Sequence, residues 1–251
     1  TRTKHDPYFI MPQWPAPAAD KAGSTTRIGG YSPRPYDGFN LAEQVGDDQA
    51  AVANNRYLLT EQLPAEPVWL KQVHSNRVVD AAAAQTNCVA DGSYTTQSKI
   101  VSVVMTADCL PVLACNRQGT GVAALHAGWR GLAEGIIEQG IEKLMQTTRS
   151  HPEDMLIWLG PAIGPKVFEV GEEVREQFMR HNQTSKHSFI PAASPDKWLA
   201  DVYKLAKLRL AQLGVENIYG GDYCTYSQAE RFFSYRRNGI TGRMASMIWF
   251  V

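Results

Sequence analysis

Ile100-Val101-Ser102-Val103-Val104-Met105-Thr106-Ala107-Asp108-Cys109-Leu110-Pro111-Val112-Leu113-Ala114-Cys115 reads as two short apolar strands joined by a polar reversal. The β-branched Val101, Val103 and Val104 favour extended backbone, and Thr106-Ala107-Asp108-Cys109 breaks the run before it resumes at Leu110. Gly121-Val122-Ala123-Ala124-Leu125 is a third run of the same kind and delivers His126 at its end. Gly128 to Gly131 then turns the chain into a helix carrying Ile136, Ile137, Ile141 and Leu144 at helical spacing. Apolar runs of this length suit strands buried in a sheet.

Working outward, Val68-Trp69-Leu70 leads into Gln72-Val73-His74 upstream, again strand-like. Before them, Asp47 can cap a helix in which Val52, Leu59 and Leu63 recur until Pro64. Downstream, Met155 to Leu159 is a strand closed by Gly160-Pro161. Leu199, Val202, Ala206, Leu210 and Leu213 then form one helical stripe ended by Gly214. Val215–Tyr219 and Met244–Val251 complete the strands. Strands and helices mix without strict alternation. This predicts an α/β (or α+β) fold: a single layered domain over residues 14–251, with a mixed β-sheet flanked by helices. Residues 1–13 read as an extended lead, continued by the Pro-rich Pro12–Pro17 stretch. The sequence opens on Thr1, so residues 1–10 are expected to be foreign to the enzyme proper, with Met11 the expected native start.

The composition narrows the function. Of the residues, 44% are hydrophobic, enough for a sizeable core, and Lys+Arg balance Asp+Glu at 25 each. Without a basic excess the chain has little to offer a nucleic-acid backbone, so no nucleic-acid partner is expected. No apolar run reaches the length of a membrane span, and the N-terminal residues lack the apolar core of a secretory signal, so no membrane partner is expected. Cys88, Cys109, Cys115 and Cys224 show no close paired spacing. They fit a reducing, cytoplasmic setting better than a disulfide framework.

His74, Cys109 and His126 each stand at the rim of an apolar strand, where a polar group without a partner costs free energy. Their wide separations match no zinc finger. They agree with ligands gathered from separate elements, as in catalytic zinc sites that leave a fourth position open. Spacing alone equally allows a core histidine, a core cysteine and a surface histidine that never meet. His5, His151, His181 and His187 lie in polar segments and read as surface residues.

Several motifs go further. Thr25-Thr26-Arg27-Ile28-Gly29-Gly30, Gln72-Val73-His74, Thr106-Ala107-Asp108-Cys109-Leu110-Pro111, His126-Ala127-Gly128-Trp129-Arg130-Gly131 and Phe232-Phe233-Ser234-Tyr235-Arg236-Arg237 resemble the bacterial YfiH/YlmD family. That family carries the labels laccase domain and multicopper polyphenol oxidase. The resemblance runs from Trp14 to Val251 in one register. It implies that His74, Cys109 and His126 are metal ligands, with Zn2+ the expected ion and Cu2+ an alternative. Two departures are visible: Ser75 and Gly92 stand where the family usually has Gly and Ala.

The resemblance implies three chemistries. The first is phosphorolysis of purine nucleosides (adenosine, inosine, methylthioadenosine) with a companion adenosine deaminase activity. The second is copper-dependent oxidation of phenols, and the third is amide hydrolysis of a cell-wall precursor with Cys109 as nucleophile. Six scattered histidines cannot fill a multicopper set. Deamination suits one open metal site, with Asp108 or Asp91 carrying a proton beside Cys109 and His126. Phosphorolysis needs an anion cradle. Gly128, Arg130 and Gly131 at a helix start could form it, with Arg27 and Arg56 adding charge. Asn40 in its turn could hold a purine edge or a ribose. The expected partners are therefore small molecules, a purine nucleoside and phosphate.

Overall fold

The computed structural model describes residues 8–251. The polar reversal at Ala107–Cys109 is the hinge of the architecture, because the chain changes sheets there. Ser102–Thr106 belongs to a four-stranded antiparallel sheet, in the order Phe9–Ile10, Asp20–Thr25, Met244–Phe250, Ser102–Thr106. Leu110–Asn116 belongs to a six-stranded sheet, in the order Ile218–Gly220, Met155–Leu159, Leu110–Asn116, Val122–Ala127, Gly92–Thr95, Val78–Asp80. This second sheet is mixed as expected, parallel in its two outer pairs and antiparallel between them.

Alternation along the strands builds the layers, since successive side chains point to opposite faces. On Leu110–Asn116, Leu110, Val112 and Ala114 pack with Ile136, Ile137, Ile141 and Leu144 of the Ile136–Thr148 helix and with Leu205, Ala206 and Leu210 of the Val202–Gln212 helix. Leu113 and Cys115 of the same strand face the other way, against Val104, Met244 and Ile248 of the four-stranded sheet. The far side of that sheet, through Val103, Met105, Ala245 and Met247, is covered by Leu41, Leu59 and Trp69. The two larger sheets thus lie face to face with helical cover outside each. Burying such faces supplies about 25 cal/mol for each Å² of apolar surface removed from water.

Three sequence expectations shift. The first long helix is Gln49–Thr60, and its cap is Asp48, accepting from Ala51 N at 2.8 Å; Asp47 instead binds the Asn40 side chain. Leu199 lies in the Lys197–Ala200 strand, and the stripe begins at Val202 behind the cap Asp201. The strand expected at Val215–Tyr219 is Ile218–Gly220. The extended lead is ordered by pairing: Phe9 and Ile10 face Thr25 and Ser24, and Ile10 is buried. Residues 1–7 of that lead lie outside the described residues. Among the described residues no helix is long and apolar enough to cross a membrane.

Candidate metal centre

Three elements converge where the chain changes sheets. Cys109 closes the reversal between Ser102–Thr106 and Leu110–Asn116, and His126 sits in the Val122–Ala127 strand paired with Pro111. His74 follows the Leu70–Lys71 strand. Their ligand atoms all lie within 4.8 Å of one another, and this is the one such group of His, Cys, Asp or Glu among the described residues. Cys109 Sγ is 3.8 Å from His74 Nε2, and the imidazole rings meet edge to face with centroids 4.9 Å apart.

The backbone is strained at this point. His74 has φ 62° and Asp108 has φ 93°, both in the left-handed region that side-chain-bearing residues seldom occupy. Two carboxylates hold these turns. Asp91, fully buried, accepts from the backbone N–H groups of Val73, His74 and Ser75 and from Ser75 Oγ. It also accepts from His126 Nδ1 at 2.8 Å. Asp108 accepts from Thr225 Oγ1 at 2.7 Å and from Arg236 N at 2.6 Å, tying the reversal to a segment far along the chain.

The electrostatics favour a thiolate. Burial opposes ionisation of Cys109, but the neighbouring His126 and hydrogen bonds from both histidines outweigh it and pull the thiol below its ordinary range. Burial likewise opposes charge on His126, which Cys109 and Asp91 overcome, raising its affinity for a proton. Burial also works against the Asp91 carboxylate, and donors from His126 and Ser75 reverse that and hold it well below the usual range.

Two imidazoles and a thiolate make a donor set that zinc and copper accept. The site also keeps room for an ion: a Cβ on Gly128 would lie 2.7 Å from His74 Cδ2 and 3.1 Å from Cys109 Sγ. His126 is buried and His74 exposed, so one side of the trio opens to solvent.

The substrate-facing expectations separate. Asn40 is fully buried, and its amide binds Ala42, Asp47 and Arg243 N within the scaffold. Arg27 donates to the carbonyls of Asp37 and Ala229, and Arg56 donates to Leu41 O and Glu43 while lying over the Trp69 ring. Arg130 is exposed, its guanidinium 4.5 Å from the centroid of Trp129. A further cation is Arg243, whose charge Cys109 and Asp108 favour against the burial that opposes it. Its Nη1 donates to Thr241 O and Gly242 O, and its remaining nitrogens have no hydrogen-bond partner among the described residues. Nothing near Arg243 in sequence marks it; only the return of the Met244–Phe250 strand beside Ser102–Thr106 brings it in.

The family model described as multi-copper polyphenol oxidoreductase laccase matches residues 21–251. A protein of Escherichia coli named purine nucleoside phosphorylase YfiH is 51% identical over 246 residues, covering 97% of this chain and 99% of that protein. A purine nucleoside phosphorylase of Pseudomonas aeruginosa is 47% identical over 241 residues, covering 96% and 98%. Among solved structures, a Neisseria meningitidis protein superposes with a TM-score of 0.92 at 45% identity, covering 97% of this chain and 99% of the other. YlmD from Geobacillus stearothermophilus gives a TM-score of 0.86 at 30% identity over 100% and 98%. A motif set in one register, a shared fold and matches over nearly the full length make the chain a member of the YfiH family, whose family model carries the polyphenol oxidoreductase laccase description.

Proposed function

We propose that this chain is a metal-dependent purine nucleoside phosphorylase, acting on adenosine, inosine and methylthioadenosine, with adenosine deaminase activity at the same site. The observation that carries the reading is the convergence of His74, Cys109 and His126, with Arg243 just before the strand whose Met244 pairs with Thr106. The names of relatives about half identical over nearly the whole chain support it. His74, Cys109 and His126 would hold the ion, zinc by preference, and when bound it supplies a Lewis acid. Arg243, with exposed Arg130, attracts phosphate and orients it for attack. An oxygen of hydrogen phosphate then bonds to C1′ of the ribose as the bond from C1′ to the base nitrogen breaks, and the phosphate's proton ends on the departing base. The buried Asp91–His126 pair keeps the imidazole aimed, and Asp108 keeps the Cys109 turn closed against the Thr225 and Arg236 segment.

The test is elemental analysis of protein purified without added metal, followed by chromatography of adenosine and inosine reactions with and without phosphate. Release of free base that requires phosphate, and that weakens in Arg243→Gln, is expected. Metal-loaded protein that turns over no nucleoside would overturn the reading. A second reading, copper-dependent phenol oxidation, draws on the family description. Against a multicopper form, the described residues offer a single three-ligand group. We expect colourless protein, inactive on phenols until copper is supplied.

A further inference from the structure

The two histidines of the trio come from different parts of the chain, and one side chain touches both segments. Asp91 Oδ1 accepts from His126 Nδ1 at 2.8 Å and from His74 N at 2.9 Å. Asp91 Oδ2 accepts from Val73 N at 3.1 Å, Ser75 N at 2.8 Å and Ser75 Oγ at 2.7 Å. Three successive backbone N–H groups folded around one carboxylate form an anion nest, which is how a residue such as His74 is kept at φ 62°. The main chain repeats the link, because His126 N donates to Asp91 O at 2.7 Å.

The two histidines are held differently. For His126 the carboxylate grips the ring itself. An acceptor-only group at Nδ1 places the hydrogen there and leaves the Nε2 lone pair directed toward Cys109 and His74. For His74 it grips only the backbone, and the ring has no hydrogen-bond partner other than the Cys109 thiol among the described residues. The Ser75 hydroxyl adds to the nest a donor that a glycine would lack.

We propose that Asp91 is the positioning residue of the metal centre: it fixes the metal-binding tautomer of His126 and, through the Val73–Ser75 nest, sets the position of His74. Asp91 therefore does not carry a proton in the reaction. It is sealed from substrate, being fully buried with both oxygens engaged by five donors. The inference rests on the reading of the trio as a metal site.

The experiment compares the full chain with Asp91→Asn and Ser75→Ala. Imidazole nitrogen NMR on metal-free protein, held alkaline enough that His126 is neutral, reads its tautomer. Titration with zinc and with Co(II), whose visible bands report ligand geometry, reads affinity and shape. The wild type is expected to show His126 with hydrogen on Nδ1. D91N, which can present an amide donor to the ring, is expected to move that hydrogen to Nε2, lower metal affinity roughly 10–100-fold and weaken the tetrahedral Co(II) bands. S75A should leave the tautomer unchanged and lower affinity by roughly tenfold at most, the effect of one charge-assisted hydrogen bond among five. Should D91N fail to fold, Asp91→Glu serves: it keeps the acceptor, so the tautomer should persist while the displaced carboxylate lowers affinity and distorts the Co(II) bands. Wild-type affinity and an unaltered tautomer in D91N, or wild-type affinity and bands in D91E, overturn the proposal. A wild type that takes up neither metal fails the metal reading itself, a distinct result.

Discussion

At the scale of single residues, Cys109 separates the competing chemistries. A thiolate committed to a metal is a poor nucleophile toward alkylating agents, whereas one activated only by a neighbouring imidazole reacts readily. Alkylation of Cys109, followed by mass spectrometry, is therefore expected to be slow in zinc-loaded protein and fast after chelation, with nucleoside turnover falling in step with metal loss. Rapid modification of fully metallated protein would instead favour the amide hydrolase. Gly128 gives a second prediction. Its φ of −65° suits any residue, so Gly128→Ala should fold. The added methyl would press on His74 and Cys109 Sγ, and metal affinity should drop by roughly tenfold at unchanged melting temperature. Undiminished affinity in G128A would show that His74 swings aside without cost.

At the scale of elements, close approach outweighs helix propensity at Gly140. It lies in the Ile136–Thr148 helix against the six-stranded sheet, and a Cβ there would come within 2.4 Å of Leu125 Cδ2, itself fully buried. Alanine favours a helix by about 1 kcal/mol over glycine, but overpacking costs about 1–3 kcal/mol. Gly140→Ala should thus destabilise the protein in urea titration; a higher midpoint would refute the packing argument. Elements of this kind also mark what the sequence reveals. The runs at 100–115, 121–126 and 155–159 are legible because their residues are apolar on both faces, buried between a sheet and a helix layer. Asp20–Thr25 escapes notice because Asp20, Lys21, Gly23, Ser24 and Thr25 carry no apolar alternation, and its place comes from pairing with Met244–Phe250. Glu172–His181 escapes because Val174 and Phe178 alone are buried. In the site, the candidate ligands His74, Cys109 and His126 are legible as polar residues beside apolar runs in motifs. Arg243 and the scaffold roles of Asn40, Arg27 and Arg56 depend on contacts between distant segments that no local pattern encodes.

At the scale of the whole molecule, one buried carboxyl away from the site shapes the response to pH. Both oxygens of Asp20 are buried with no hydrogen-bond partner among the described residues, beside the Cys115 thiol where the two sheets meet. Burial raises its pKa from 3.8 to about 6, more than the nearby thiol and Lys21 lower it. A carboxyl whose folded value is raised favours the folded state while protonated, so its contribution declines as pH rises from about 4 to 6 and stays lost above. Asp20→Asn should remove that decline and stabilise the protein at pH 7 by about 1–2 kcal/mol, after allowing for partial solvent screening. The measurement is the difference in unfolding free energy between wild type and D20N across pH 4–7. A difference that does not change with pH would show that Asp20 is solvated in the native state.

The four-stranded sheet has a further consequence, in the timing of synthesis. Met244–Phe250 is an inner strand, zipped between Asp20–Thr25 and Ser102–Thr106, yet it leaves the ribosome long after both neighbours. Until it arrives, each neighbour offers a bare hydrogen-bonding edge, and the cleft between the sheets lacks Met244 and Ile248. The nascent chain therefore waits half-open with an edge that other chains can pair with, and this is the interval in which a holding chaperone would matter most. Arg243, just before that strand, reaches its place by the same late insertion, so the pocket around Cys109 stays incomplete in the growing polypeptide until the strand closes the sheet.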